Sequence, residues 1–281
     1  MSKREGIVHG MPEDEYHGGD ELSSTGAKLL LRSPARFKYE VLDGHRVHKA
    51  AYDLGTAVHT KVLGVGAQPV TCPPELLDST GGMRTKAAKE WREEQTAAGN
   101  PVLTADQLEQ VDAMAEAVLA HLEARTLFER EGDAEVSLFD EWLGVKRRGR
   151  IDYLPTEGGL IVDLKTTIDA SPDGFARLAG KFGYHVQYGH YTHQYEQLTG
   201  ETRDMLFVTV EKEPPYLVGV HRLNDQYREI GLAYALEAVD EYRKHSQAGH
   251  WPGFEGINTL TPPMSVIYDY QDRFESGEIT L

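Results

Sequence analysis

Between residues 23 and 122 the apolar positions recur at helical spacing; from Glu135 onward they gather into short, strand-length runs. Ser23-Ser24-Thr25 offers an N-cap, with Leu29, Leu30 and Leu31 as the apolar face behind it. Pro34 disfavours helical geometry at Ser33, so this helix ends there, and Ser33-Pro34 opens a second one carrying Phe37, Tyr39 and Val41. A third is expected through Leu54 and His59 to Leu63. Thr104-Ala-Asp-Gln107 has the spacing of a capping box, and Leu108, Val111, Ala115, Val118, Leu119 and Leu122 continue it as one amphipathic helix. Strands are predicted at Glu135–Trp142, Val145–Leu154, Leu160–Thr166, Met205–Glu211 and Leu217–Arg222, bounded by turn signals such as Leu143-Gly144 and Glu157-Gly158-Gly159. A polar-aromatic helix, Tyr184–Leu198, separates the third strand from the fourth and stops at Gly200. A last helix is expected from Asn224 to His245 with Tyr227, Ile230 and Tyr234 inward, followed by an irregular tail from Trp251 with Pro252, Pro262 and Pro263. This is an α/β pattern: a small mixed sheet flanked by helices, behind a helical N-terminal region.

No internal repeat or low-complexity linker interrupts the chain. One domain is therefore expected over residues 1–281: helical to 103, helix plus sheet core over 104–250, and a tail over 251–281. The single cysteine, Cys72, excludes an internal disulfide and any cysteine-built zinc or iron–sulphur site. No apolar run approaches the roughly 18 residues of a membrane-spanning helix. Met1-Ser-Lys-Arg-Glu-Gly has no apolar stretch behind its bases, so no secretory signal and a cytoplasmic placement are expected. The net charge of −16 argues, taken whole, against a nucleic-acid partner. It is unevenly spread, however. Residues 104–141 hold 11 acids and 2 bases, whereas 26–50 hold 6 bases and 2 acids. An acidic exterior with a local basic track suits a protein that takes nucleic acid into an enclosed passage.

The strands carry the chemistry. In Leu160-Ile-Val-Asp-Leu-Lys165 a period of two puts Ile161, Asp163 and Lys165 on one face. On the preceding strand Arg148, Arg150 and Asp152 share a face, with Ile151 and Tyr153 opposite. A hairpin through Pro155–Gly159 would set Asp152 beside Asp163. Upstream, Glu135 shares a face with Ser137 and Phe139. Converging carboxylates repel unless a cation compensates, and hard oxygen ligands without cysteine select Mg²⁺, with Mn²⁺ as substitute. A lysine next to them can orient a water or stabilise charge on a phosphate. That combination points to metal-assisted phosphodiester hydrolysis. The Asp-x-Lys pattern alone fits a strand end with a surface salt bridge better; Asp152 eleven residues upstream balances the two readings.

Gly149-Arg-Ile-Asp152, a short turn and Val162-Asp-Leu-Lys-Thr166 resemble the core of the PD-(D/E)XK nuclease superfamily, with Ile151 where the proline of the name would stand. More narrowly, the chain resembles the phage and prophage exodeoxyribonuclease VIII (RecE-type) family. That likeness also rests on Leu22–Leu31, Ser33-Pro-Ala-Arg-Phe37, Leu54-Gly-Thr-Ala-Val-His59, Gln187-Tyr-Gly-His-Tyr191, and Phe207–Lys212 followed by Pro214-Pro215. It implies that Asp152, Asp163, the Leu164 carbonyl and His59 bind metal and that Lys165 positions the attacking water. It implies that Glu135 is an acidic site position and that Gln187 and Tyr191 form a Gln-x-x-x-Tyr motif facing substrate or lysine. It further implies double-stranded DNA ends as substrate, 5′→3′ polarity, a homo-oligomeric ring, a single-strand annealing partner, and a host-cell cytoplasm if the chain is phage-encoded. The alternatives are a RecB-like or structure-specific endonuclease and a non-catalytic DNA-binding or annealing module.

Other residues admit plainer readings. His185, His190 and His193 fit a solvated helix face. Tyr184, Tyr188, Tyr191 and Tyr195 fit helix packing better than base stacking. Lys146 and Arg147 fit a charged strand edge as well as a phosphate contact, while Arg148 and Arg150, on the acid face, suit phosphate.

Overall fold

The computed structural model describes residues 4–45 and 50–280, and side chains in the helix opening at Ala50 from Asp53 onward. Met1–Lys3, part of the N-terminal stretch read above for a secretory signal, lie outside the described residues. So do Arg46 and Lys49 of the basic track. The N-terminal region comprises β1 (Gly6–Val8), α1 (Glu13–His17), β2 (Leu22–Ser23), α2 (Ser24–Arg32) and α3 (Pro34–Phe37), extended by a π-helical turn at Lys38–Leu42. Then come α4 (Ala50–Leu63), β3 (Val70–Thr71), α5 (Lys86–Ala97), β4 (Val102–Leu103), α6 (Ala105–Ala120) and α7 (Leu122–Phe128). The core elements are β5 (Gly132–Trp142), β6 (Val145–Pro155), β7 (Leu160–Thr167), α8 (Pro172–Phe182), α9 (Tyr184–Thr199), β8 (Asp204–Glu211) and β9 (Val218–Arg222). Helices α10 (Asp225–Ala248) and α11 (Met264–Glu275) follow.

The caps read from the sequence are in place. Ser23 Oγ accepts from the Gly26 N–H, Ser33 Oγ from Arg36, and Thr104 and Gln107 close a reciprocal capping box. The long helix expected through Leu122 breaks at His121, whose ring accepts from the Ala124 N–H and caps α7 instead.

The main sheet has the order β1-β5-β6-β7-β8-β9. Pairing is antiparallel except between β7 and β8, and where β2 joins the first half of β6. Helices cover both faces. Val162, Leu164, Val208 and Val210 pack on α4, α6 and α7; Ile161, Met205 and Phe207 pack on α8 and α9. Leu22, Leu30 and Phe37 extend the core toward α10 through Val239. No helix among the described residues is long and apolar enough to cross a membrane.

Strand β6 has neighbours on both sides, and Arg147 is fully buried rather than part of a charged edge. His185 and His190 are buried, not solvated, because α9 lies between the sheet and α10. Helix α8 lies outside the elements expected from periodicity, although Ser171 and Pro172 open it and Gly183, at φ 67°, closes it. The tail holds α11, which begins directly after Pro263.

In α10 the buried residues are Gly231, Ala235, Ala238, Val239 and His245, while Ile230 and Tyr234 are 38% and 44% exposed. Close approach to α9 explains the swap. A Cβ on Gly189 would lie 2.5 Å from the Gly231 backbone, and one on Gly231 would run into the His185 carbonyl. Only small residues fit that crossing, so the large apolar ones flank it. Gly231→Ala is therefore expected to lower stability by about 1–3 kcal/mol, read as a lower urea midpoint at unchanged m-value.

Candidate active site

The site forms where β6 leaves β7. The rung Tyr153–Val162 makes Asp152 and Asp163 neighbours across the two strands. Past it the ladder opens. The Leu164 N–H is donated to Asp152 Oδ2 at 2.8 Å rather than to a β6 carbonyl. A strand residue turns its N–H and C=O to the same edge, so the Leu164 carbonyl also faces this opening.

Strand β5 brings Glu135 to the opposite side of Asp152. Its ladder with β6 skips that rung, and Glu135 adopts φ 53°, a left-handed conformation uncommon for a side-chain-bearing residue. The strand pair changes face here. Val136, Leu138 and Ile151 pack toward α9, whereas Ala134 and Tyr153 pack toward α4. Strict alternation across Asp152, which put Ile151 and Tyr153 on one side, fails for this reason.

Helix α4 supplies His59, whose Nδ1 is 3.5 Å from Asp152 Oδ2. One ligand atom each from His59, Glu135 and Asp152 lies within 4.8 Å of the others. Asp163 is 1% exposed; its Oδ2 meets Lys165 Nζ at 2.5 Å and its Oδ1 accepts from Gln187 Nε2 at 2.6 Å.

Burial raises the Glu135 carboxyl to about 8, with the Asp152 charge adding to it and Arg150 opposing it from 3.7 Å. Burial likewise raises Asp163, against the pull of Lys165. For Lys165, burial works against the charge, but Asp163 and Asp152 outweigh it and hold the ammonium above its ordinary range. The pocket is thus rich in carboxylate and short of positive charge, and its oxygen and imidazole donors fit a hard divalent ion. The folded protein holds the Glu135 proton to higher pH than the unfolded chain does. Glu135 therefore favours the fold at acid pH, and that contribution is lost as pH rises from the ordinary carboxylate range through about 8. Mg²⁺ or Mn²⁺ is expected to raise the melting temperature more at pH 8.5 than at pH 6, by scanning fluorimetry.

His59, Glu135, Asp152, Asp163, Leu164, Lys165 and Gln187 thus come together. Gln187 reaches the aspartate rather than the lysine. Tyr191 is buried one turn on, meeting the Ser24 hydroxyl and the Arg150 backbone. Its ring and Gln194 explain Gly149: a Cβ there would lie 3.1 Å from the ring and 2.6 Å from Gln194 Oε1. Tyr188 and Tyr195 are also buried, as packing predicts. Arg150 borders the site, tied to Ser137 Oγ and the Met11 carbonyl. Arg148 is turned away, buried against the Gly19 carbonyl and 3.5 Å from Glu21. Tyr184, expected from the sequence only to pack, and Lys28, which no sequence pattern singles out, lie beside Lys165.

Compared with family models, residues 23–260 match a PDDEXK-like domain of unknown function. The chain belongs to this PDDEXK-like family. Among solved structures, a Eubacterium rectale protein provisionally named an exonuclease superposes with a TM-score of 0.61. The alignment covers 93% of this chain and 98% of that one at 15% identity, a likeness of fold. SSO0001 aligns over 69% of this chain and 87% of its own, at 12% identity and a TM-score of 0.27, too low to bear on the fold. No curated protein matches the sequence. The mixed α/β sheet flanked by helices is the PDDEXK-like nuclease fold.

Proposed function

We propose that this PDDEXK-like protein is a Mg²⁺-dependent exonuclease that hydrolyses phosphodiester bonds from the ends of linear double-stranded DNA. The observation that carries the reading is the meeting of Asp152, Asp163 and Lys165 at the β6–β7 fork, with His59 and Glu135 alongside. Bound by His59, Glu135 and Asp152, with Asp163 and the Leu164 carbonyl beside them, a divalent ion would supply Lewis acidity and a water of lowered pKa. Lys165, held charged by Asp163, donates hydrogen bonds: it orients a water toward phosphorus and stabilises charge growing on the phosphoryl oxygens. It has no lone pair with which to take the water's proton. Gln187 fixes the aspartate that fixes the lysine. Arg150 offers the phosphate a cation at the rim, and Arg148 serves through its hold on the segment before β2.

The sequence resemblance to the exodeoxyribonuclease VIII (RecE-type) family extends the proposal. It adds 5′→3′ polarity, a homo-oligomeric ring around DNA, a cytoplasmic role in phage-type recombination, and a single-strand annealing partner. The test uses end-labelled linear duplex and closed circular DNA with Mg²⁺, then with EDTA. Degradation of the linear form alone, stopped by EDTA, is expected. Cutting of the circle would favour a structure-specific or RecB-like endonuclease. Binding without cleavage of either would favour a DNA-binding or annealing module. Full hydrolysis in EDTA would exclude the metal.

A further inference from the structure

We propose that Phe182, Lys181 and Lys28 form a nucleotide subsite beside Lys165, in which the phenyl ring stacks on a base of the bound strand and the lysines hold a phosphate next to the scissile one. This rests on the nuclease reading above and names which surface beside the site takes the substrate.

An aromatic series leads from the core to the surface at this point. Phe207 and Phe175 are buried, and both stack against Tyr184, at ring distances of 5.9 and 5.7 Å. Tyr184 in turn lies 5.9 Å from Phe182, which is 50% exposed. Lys165 Nζ sits 5.3 Å from the Tyr184 ring centre and Lys28 Nζ 5.7 Å from it, so two amines share one ring. Lys181 Nζ is 5.6 Å from the Phe182 ring. Gly183 makes this arrangement possible. Its φ of 67° turns the chain sharply between α8 and α9, and a Cβ would strike the Lys28 side chain at 2.8 Å.

The charge pattern is the second observation. Among the described residues, no carboxylate lies within ion-pair distance of Lys28 or Lys181, in a chain with 45 acids and 29 bases. Burial, and then the neighbouring Lys165, push the Lys28 amine down to about 8, so an anion placed there would relieve it. The site therefore has two ends. His59, Glu135 and Asp152 make an end that draws a cation, and Lys28, Lys165 and Lys181 make one that draws an anion. A half-exposed ring beside Lys28 and Lys181, which have no described carboxylate within ion-pair distance, is the combination that binds a strand through base and backbone together.

Fluorescence anisotropy in EDTA separates binding from cleavage. The probes are a blunt duplex oligonucleotide and the same duplex with a single-stranded overhang, each dye-labelled at the far end. Phe182→Ala is expected to weaken overhang binding about tenfold, in line with one lost base–aromatic stack, and Phe182→Trp to restore it. Lys28→Gln is expected to weaken binding of both probes and flatten the salt dependence, with Lys28→Arg restoring it. In Mg²⁺ the Phe182 loss should appear in KM more than in kcat. If Phe182→Ala and Lys28→Gln bind both probes as the unmodified protein does, while that protein still degrades linear DNA, the subsite is wrong and the nuclease reading stands. If the unmodified protein neither binds nor cuts DNA, both fall.

Discussion

Lys165→Ala is expected to reduce hydrolysis of linear duplex DNA by about 10²–10⁴-fold, the range for removing a positioned group that acts on the attacking water or on developing charge. The ammonium is 2.5 Å from a carboxylate that is itself gripped by Gln187, so its position is set from two sides. The fold should survive. Without Lys165 the Asp163 carboxyl, already raised by burial, takes up a proton and keeps its hydrogen bond to Gln187. Circular dichroism and the melting temperature then separate loss of chemistry from loss of structure. Lys165→Arg is not expected to rescue, because a planar fork cannot put a point charge where the ammonium sits. Asp163→Asn keeps the shape and the amide contact, and should be as inactive as the alanine variant. A purified Lys165→Ala protein that digests linear DNA at more than half the normal rate would move the reaction away from this site.

What was legible in the chain was what local chemistry decides. Ser23, Ser33 and Thr104 announce helix starts because a hydroxyl must meet an orphan N–H, whatever the tertiary context. The Asp152–Asp163 pairing followed from a short hairpin turn and a period of two, and the register agrees. What the chain hid was set by packing between distant segments. The turnover of face at Glu135 leaves no mark in composition, since it comes from a residue in left-handed geometry opposite a carboxylate that has left its ladder. The glycine crossing of α9 and α10 exposed Ile230 and Tyr234, which helical periodicity had turned inward. In β6 the adjacent charges Lys146-Arg147 fit a charged strand edge as well as a phosphate contact, but α9 carries its own polar residues, His190, His193 and Gln194, to the buried Arg147. A polar pattern on two facing surfaces spells a buried network as well as it spells solvent.

That network predicts the largest effect on stability. Arg147 is fully buried; its Nε donates to Asp140 Oδ1 at 3.0 Å, and its Nη2 donates to Asp140 Oδ2. The guanidinium lies 4.6 Å from the Trp142 ring centre and also donates to His193 Nδ1, while Gln194 donates to Asp140 at 2.9 Å. Arg147→Ala leaves Asp140 buried without its counter-charge, and breaking such a pair from one side is expected to destabilise by about 3–5 kcal/mol. Burial alone keeps His190 neutral, so it does not supply the missing cation. Arg147→Lys should recover little, lacking the two-pronged geometry. Replacing both partners, with Arg147→Met and Asp140→Leu, should recover much of the loss, because no charge is then stranded. Urea midpoints of the four proteins decide this, and equal midpoints for Arg147→Ala and the unmodified chain would sink it. Asp140 and Arg147 face each other on the same strand pair that carries Glu135 and Asp152. The cross-strand tie therefore holds together the two strands whose carboxylates must meet. In the alanine variant, cation-induced thermal stabilisation should weaken along with the fold, although none of the substituted atoms touches the site.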